Sequence, residues 1–158
     1  MDILTQKGQA TLRQVKDAIG IWHRHYPQMA YNETPNDKPA DIDGVITSGG
    51  NVKAIVEIKC RVSMTLRDFE DWHDSEWLVT FDKITRGISL SNALRVPFVG
   101  FLYFPLEATL LVHKIYDPDH GMNTHMEIRR TETQATVNGG KIWRDNAYID
   151  MAAARRLK

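Results

Sequence analysis

Charged side chains interrupt an otherwise apolar stretch at residues 41–61, and four of them have types and spacing suited to chemistry. Asp41 and Asp43 stand just before the run Gly-Val-Ile, and Glu57 and Lys59 stand near the end of a second apolar run. Charged residues are rare in strand interiors, and aspartate is depleted in strands generally. Two carboxylates held close together repel each other, and protonation of one or binding of a hard cation relieves that repulsion. The pattern therefore indicates a site for metal or acid–base chemistry.

The sequence between the two runs determines whether these charges meet. A Gly-Gly-Asn turn at residues 49–51 predicts a β-hairpin, because glycine reaches positive φ without strain. A three-residue loop pairs Asp43 with Glu57 and brings all four charged side chains to one face. A two-residue loop pairs Asp43 with Val56 instead and separates the charges. A functional site thus requires the longer loop, or a bulge in the hairpin.

The residue types in this stretch favour a particular cation. The candidate ligands are oxygens, and no cluster of cysteine and histidine suggests zinc, so Mg²⁺ or Mn²⁺ is expected. A lysine two residues beyond the glutamate is suited to hold an attacking water, or to stabilise negative charge on a phosphate. The alternative is a surface hairpin in which the same groups form ordinary cross-strand salt bridges.

An aspartate followed across a hairpin by Glu-x-Lys resembles the PD-(D/E)xK nuclease superfamily. The resemblance implies that Asp43 and Glu57 bind the metal and that Lys59 positions the water. It also implies that the backbone carbonyl of Ile58 is a metal ligand, and Asp41 is a possible additional ligand. The implied reaction is Mg²⁺-dependent (or Mn²⁺-dependent) hydrolysis of phosphodiester bonds in DNA, by an endonuclease in preference to an exonuclease.

Two predicted helices flank the hairpin. Residues 5–25 have an apolar stripe at three- and four-residue steps, but they lack the glutamate with which many relatives complete the metal site. Residues 82–95 form a second amphipathic pattern. Its first turn carries Lys83 and Arg86, which the resemblance makes candidate nucleic-acid contacts; solvated surface charges are the alternative.

The remaining elements complete an α/β fold. Residues 96–105 are almost continuously apolar and predict a buried central strand, and residues 109–116 predict another strand. The resemblance implies a restriction-endonuclease-like core, in which a central mixed sheet is flanked by helices, over residues 1–116. Residues 117–158 predict a C-terminal β-hairpin extension within the same domain, and residues 151–158 are expected to form a short helix or a frayed end.

Residues 63–82 are the least regular part of the sequence. Thr65 is suited to cap a helix, with Asp68 three residues on. Acidic residues dominate the segment, and an acidic run repels a phosphate backbone. A solvated helix with its tryptophans turned inward is one interpretation. The other is that Trp72 or His73 lies near the cleft and stacks on a base.

Composition sets broad limits. The chain has 158 residues and a formal net charge of zero, so any basic surface for nucleic acid must be local. A single cysteine, Cys60, excludes an internal disulfide and fits the reducing cytoplasm. No apolar run is long enough to span a membrane. We expect a DNA-binding homodimer; a catalytically degenerate binder of nucleic acid or protein, and a structural or assembly protein, are the alternatives.

Overall fold

The computed structural model describes residues 6–35, 40–134 and 140–158. Three helices occur in these ranges: α1 (Gln6–His25), α2 (Leu66–Trp72) and α3 (Phe81–Leu94). The strands are β1 (Ala30–Glu33), β2 (Gly44–Ser48), β3 (Asn51–Cys60), β4 (Glu76–Thr80), β5 (Phe98–Phe104), β6 (Thr109–Asp117), β7 (Gly121–Met122), β8 (Met126–Gln134), β9 (Lys141–Asp150) and β10 (Arg155–Leu157). No helix in the described ranges is both long and apolar enough to cross a membrane.

The main sheet has the strand order β1-β2-β3-β5-β6-β10, with β7 paired to β6. Strands β3 and β5 run parallel, whereas the other neighbouring pairs are antiparallel. Strand β5 lies at the centre, and every residue in it except Val99 is buried. A nearly continuous apolar strand is expected where both faces of a sheet are covered. The predicted α/β fold with a central mixed sheet flanked by helices is therefore confirmed.

Different elements pack against the two faces of the main sheet. Helix α1 packs on one face, where Val15, Ala18 and Trp22 meet Val56 and Phe101. Helix α3 covers the other face together with a second, three-stranded sheet of order β4-β9-β8. Side chains of a strand alternate between faces, so Ile55 and Glu57 of β3 point towards α3, whereas Val56 and Ile58 point towards α1.

One glycine permits the second sheet to approach β5. A Cβ atom at Gly100 would lie 2.3 Å from a ring carbon of Trp77 on β4. Trp77 is fully buried, so its indole has no room to retreat. The absence of a side chain at Gly100 thus lets the two sheets pack directly against each other.

Most sequence-predicted elements occur within two or three residues of their predicted bounds. Thr65 caps α2 through a reciprocal capping box with Asp68, as predicted. The C-terminal hairpin is also confirmed, because β8 and β9 pair in antiparallel register; residues 138 and 139 of its predicted turn lie outside the described residues.

Two predictions were wrong. Residues 151–158 do not form a helix, because β10 returns to the main sheet and buries Leu157 against it. Residues 63–82 are more regular than expected, since β4 follows α2 and pairs with β9. In β4, Trp77 and Val79 alternate with partly exposed neighbours, which is the ordinary pattern of a strand covered on one face.

Candidate active site

The β2–β3 hairpin reaches the required register through a bulge. Its tip is a two-residue loop that pairs Ser48 with Asn51, which alone would separate the charges. An irregularity between Ile46 and Thr47 then shifts the register, so that Gly44 pairs with Val56. A β-bulge of this kind redirects the side chains beyond it. The hairpin thereby brings Asp43 opposite the segment that carries Glu57.

Asp43, Glu57 and Lys83 form a compact triad, which we call the buried triad. The Lys83 ammonium lies 3.0 Å from Glu57 Oε2 and 3.3 Å from Asp43 Oδ1. The side chain of Glu57 is 10% exposed, and those of Asp43 and Lys83 are about 30% exposed. One helix and two strands therefore place a cation between two carboxylates at the edge of the core.

Burial makes this charge arrangement unfavourable for Glu57. Burial first, and then the negative charge of Asp43, raise the pKa of Glu57 to about 8, although Lys83 acts in the opposite direction. The pKa of Lys83 is also raised, because attraction to Asp43 and Glu57 outweighs its own burial. One lysine thus incompletely neutralises the two carboxylates, and a stronger cation or a proton would stabilise them.

Backbone hydrogen bonds orient Asp43. The Ile58 N–H donates to Asp43 Oδ2 at 2.8 Å, and the Asp43 N–H donates to the Val56 carbonyl at 2.9 Å. Within an extended strand, the N–H and C=O of one residue point towards the same neighbouring strand. The carbonyl of Ile58 therefore points towards the same edge as Asp43, which is compatible with the ligand role that sequence reasoning gave it.

Lys59 is exposed at the mouth of the site. It lies two residues beyond Glu57 on β3 and shares its face of the sheet. No salt bridge joins it to any residue within the described ranges. Lys59 is thus available to a substrate, whereas Lys83 is the lysine that contacts the carboxylates.

The two outer candidates, Asp41 and Arg86, pair with each other. Arg86 lies 3.0 Å from Asp41 and 2.9 Å from Asp82, and all three side chains are at least half exposed. No contact among the described residues joins Asp41 to the buried triad. The two predicted nucleic-acid contacts, Lys83 and Arg86, are therefore both engaged in ion pairs within the chain.

Helix α1 supplies no ligand to this face. It packs on the opposite side of the main sheet, where its Asp17 influences Cys60 and Tyr103. Among the described residues, no group of three or more His, Cys, Asp or Glu side chains is arranged to hold a metal. A cation at the buried triad would therefore rely on two carboxylates, a backbone carbonyl and water.

Tyr31 lies behind the site, on the face of the main sheet that packs against α1. Its hydroxyl packs over Gly44, where an added Cβ would lie 2.4 Å away, and has no hydrogen-bond partner among described groups. Burial first, and then the charges of Asp43, Glu33 and Glu57, raise the pKa of Tyr31 well above its usual range. Sequence reasoning missed both Tyr31 and the position of Lys83, because each lies far from the hairpin in sequence.

Comparison with known proteins adds little. No family model matches the chain, and no curated protein sequence matches it. The fold is similar to that of Hjc, a Holliday junction resolvase from the archaeal hyperthermophile Archaeoglobus fulgidus. The two chains are 13% identical and superpose with a TM-score of 0.46, covering 65% of this chain and 75% of Hjc.

Proposed function

We propose that the chain is a metal-dependent nuclease of the PD-(D/E)xK type that hydrolyses phosphodiester bonds in DNA. The observation that carries this proposal is the contact between Asp43 and Glu57, which are held together at the edge of the core with an ammonium between them. A protein seldom places a carboxylate as buried as that of Glu57 beside a second carboxylate unless a cation is bound there or their chemistry is used.

The donor set fits a divalent cation. Lys83 already holds a positive charge between the two carboxylates, and all the other available donors are oxygens, which suit Mg²⁺ or Mn²⁺. Asp43, Glu57 and the Ile58 carbonyl would hold the ion. When bound, it supplies Lewis acidity towards a phosphodiester and activates water for attack.

The lysines have complementary roles in this proposal. Lys59, exposed beside Glu57, donates hydrogen bonds to an attacking water or to a phosphate oxygen. Lys83 holds the two carboxylates together in the metal-free protein, and a bound cation would take over that role. The substrate is DNA cut internally, and a homodimer, if formed, would bring two such sites to two strands.

A second function is favoured by two observations. Lys83 neutralises part of the carboxylate charge, and α1 brings no glutamate to this face. Both features suit a nuclease fold that has lost catalysis and binds nucleic acid only. Such a protein would bind DNA with the same affinity in chelator and in Mg²⁺.

Incubation with supercoiled, linear, branched and single-stranded DNA separates the two functions. Each substrate is offered with Mg²⁺, Mn²⁺ or EDTA to the wild type and to Glu57→Gln and Lys59→Ala. Lys53→Ala is the matched control, because Lys53 is an exposed lysine on the same strand. The proposal predicts cleavage that needs the metal, disappears in the first two variants and persists in the third. Absence of cleavage of every substrate by the folded wild type would contradict it.

A further inference from the structure

A second concave site lies beyond the carboxyl end of β3. It is a pocket of about 370 Å³ between β3, α2 and the three-stranded sheet. Its lining includes the aromatic rings of Trp72 and Tyr148 and the charged side chains of Arg61, Arg129, Asp74 and Glu76. Cationic and aromatic groups in one concave site are the combination that recognises nucleotides.

Arg61 is the residue that indicates a missing ligand. Its Nε atom is buried and has no hydrogen-bond partner among the described groups, and no described carboxylate pairs with its guanidinium. Burial lowers the pKa of Arg61, in line with the absence of an ion pair to its guanidinium among the described residues. A partly buried guanidinium without an ion pair is costly, and an anion that accepts its hydrogen bonds removes that cost.

Trp72 supplies the aromatic surface. Its side chain is 80% exposed at the end of α2, whereas Trp77, five residues later, is completely buried. The interpretation in which the tryptophans turn inward therefore holds for Trp77 and is wrong for Trp72. A large flat ring left in solvent beside the unpaired guanidinium of Arg61 is suited to stack on a base.

Ion pairs neutralise three carboxylates of the surrounding segment. Glu70 pairs with Arg156, Asp71 with Arg67, and Glu76 with Arg129, whereas Asp68 keeps its charge and is hydrogen-bonded to Thr65. Asp74 at the pocket has no ion pair among the described residues. Its charge disfavours a multiply charged phosphate and tolerates a phosphodiester, which carries one negative charge.

The pocket is aligned with the buried triad. The Arg61 N–H donates to the Tyr103 carbonyl at 2.8 Å, so β3 continues beside β5 as far as Arg61. Glu57, Lys59 and Arg61 then follow one another on the same face, with steps of roughly 6.6 Å between them. This repeat is comparable with the separation of successive phosphates in an extended single strand.

We propose that this pocket binds an unpaired nucleotide of the nucleic-acid strand that passes the buried triad, with Trp72 stacked on its base and Arg61 paired with its phosphodiester. The assignment rests on the proposed function for the identity of the strand. It adds to that function a preference for substrates with a single-stranded or splayed nucleotide about two positions from the carboxylates.

Oligonucleotide binding in EDTA tests this pocket without any cleavage. A labelled twelve-residue oligothymidylate and an abasic oligonucleotide of the same length are titrated by fluorescence anisotropy. We expect Trp72→Ala to weaken thymidylate binding about tenfold and to leave abasic binding unchanged, since only a base can stack. Arg61→Gln weakens the binding of both ligands about equally. It also lowers the slope of log affinity against log salt concentration by roughly one.

Trp143→Ala is the matched control. Trp143 is 61% exposed on β9 and lies outside the pocket, so its removal is expected to leave both affinities unchanged. Arg61→Met is a second test of Arg61. It is expected to unfold at or above the wild-type temperature, because it removes an unpaired charge, and yet to lose affinity.

The outcomes separate this proposal from the nuclease proposal. Equal effects of Trp72→Ala and Trp143→Ala on thymidylate binding would overturn the pocket assignment, even in a protein that cuts DNA. Absence of binding by the wild type, or loss of stability in Arg61→Met, would overturn it as well. If the expected pattern of affinities appears in a protein that cleaves no DNA, the pocket assignment stands and the nuclease proposal fails.

Discussion

Two triads of one cation and two carboxylates behave in opposite ways in this molecule. In the buried triad, Lys83 bridges Asp43 and Glu57 at the edge of the core. In the second, which we call the exposed triad, Arg129 contacts Glu76 at 2.7 Å and also contacts Glu127. Their composition is nearly identical, so the difference between them shows what burial adds.

The pKa values show the difference directly. In the buried triad, burial and the neighbouring carboxylate raise the pKa of Glu57. In the exposed triad, the hydrogen bond from Arg129 lowers the pKa of Glu127, and water solvates the rest of the charge. The exposed triad is what an ordinary surface salt bridge looks like. The buried triad departs from it because Glu57, at 10% exposure, lies beside a second carboxylate, whereas Glu127 is 51% exposed. A divalent cation would stabilise that pair of carboxylates better than one lysine does.

The largest expected effect is on cleavage. Asp43→Asn and Glu57→Gln are each expected to reduce metal-dependent DNA cleavage by roughly 1,000-fold or more, since removing groups that merely support a metal ligand already costs about 10- to 100-fold. Glu127→Gln, the counterpart in the exposed triad, is expected to cut at the wild-type rate. Initial rates under single-turnover conditions measure the contrast. An equal loss of cleavage rate in Glu57→Gln and Glu127→Gln would contradict the expected difference between the two triads.

The pH dependence of stability is the second test, in metal-free protein kept in EDTA. Because the pKa of Glu57 is higher in the folded than in the unfolded chain, the folded state keeps a proton that the unfolded state releases. Stability contributed by this group is therefore lost as pH rises from about 5 to about 8, by an amount on the order of 3 kcal/mol. Urea unfolding of Glu57→Gln should show a flatter profile over this range. A wild-type profile that rises with pH there, and that the substitution leaves unchanged, would contradict the assignment.

The third test concerns the backbone beside Asp43. A Cβ atom at Gly44 would lie 2.4 Å from the Tyr31 ring and 2.9 Å from the Asn32 carbonyl. Gly44→Ala is expected to cost about 2 kcal/mol of stability through overpacking, and to weaken metal binding by moving Asp43. Gly140→Ala, next to β9, is the control, because no atom lies within 4 Å of its added Cβ. Chemical unfolding and Mn²⁺ titration of both variants measure the difference, and a Gly44→Ala protein as stable as Gly140→Ala would count against this packing.

The smallest expected effect is that of a substitution in the exposed triad on stability. Glu127→Gln should leave the unfolding temperature near the wild-type value at neutral pH, and added salt should remove the remaining difference. The sign of its pH dependence is opposite to that of Glu57. Since the pKa of Glu127 is lowered in the folded state, its contribution is present above the unfolded pKa and is lost as the solution becomes acidic. A large destabilisation at neutral pH would show that this triad is more than a surface salt bridge.

Sequence reasoning reached the hairpin and its carboxylates for a definite reason. Asp43 and Glu57 belong to neighbouring strands joined by a glycine turn, so local register decides whether they meet, and a bulge was one of the two expected solutions. Strand β5 was equally predictable from the sequence, because a short, continuously apolar segment bounded by prolines is typical of a buried strand.

The parts that sequence reasoning missed depend on contacts between distant segments. In the sequence, Lys83 stands in the first turn of an amphipathic helix and resembles a solvated surface charge. In the structure, its neighbour Ile84 packs into the core, and the first turn of α3 therefore lies beside Glu57. Strand β10 has three residues, too few for a periodic pattern, and is recognised only by its pairing with β6. The unpaired state of Arg61 is invisible in sequence, since acidic residues are abundant nearby and only the structure shows that they pair elsewhere.

Titration of Mn²⁺ into the metal-free protein by calorimetry tests the central claim most directly. The account predicts one ion bound per chain by the wild type, loss of binding in Glu57→Gln and unchanged binding in Glu127→Gln. It also predicts tighter binding in Lys83→Met, roughly tenfold, because the ion no longer competes with an ammonium for the same carboxylates. A wild type that binds no Mn²⁺, or binding that survives in Glu57→Gln, would show that the buried triad is a structural ion pair and not a metal site.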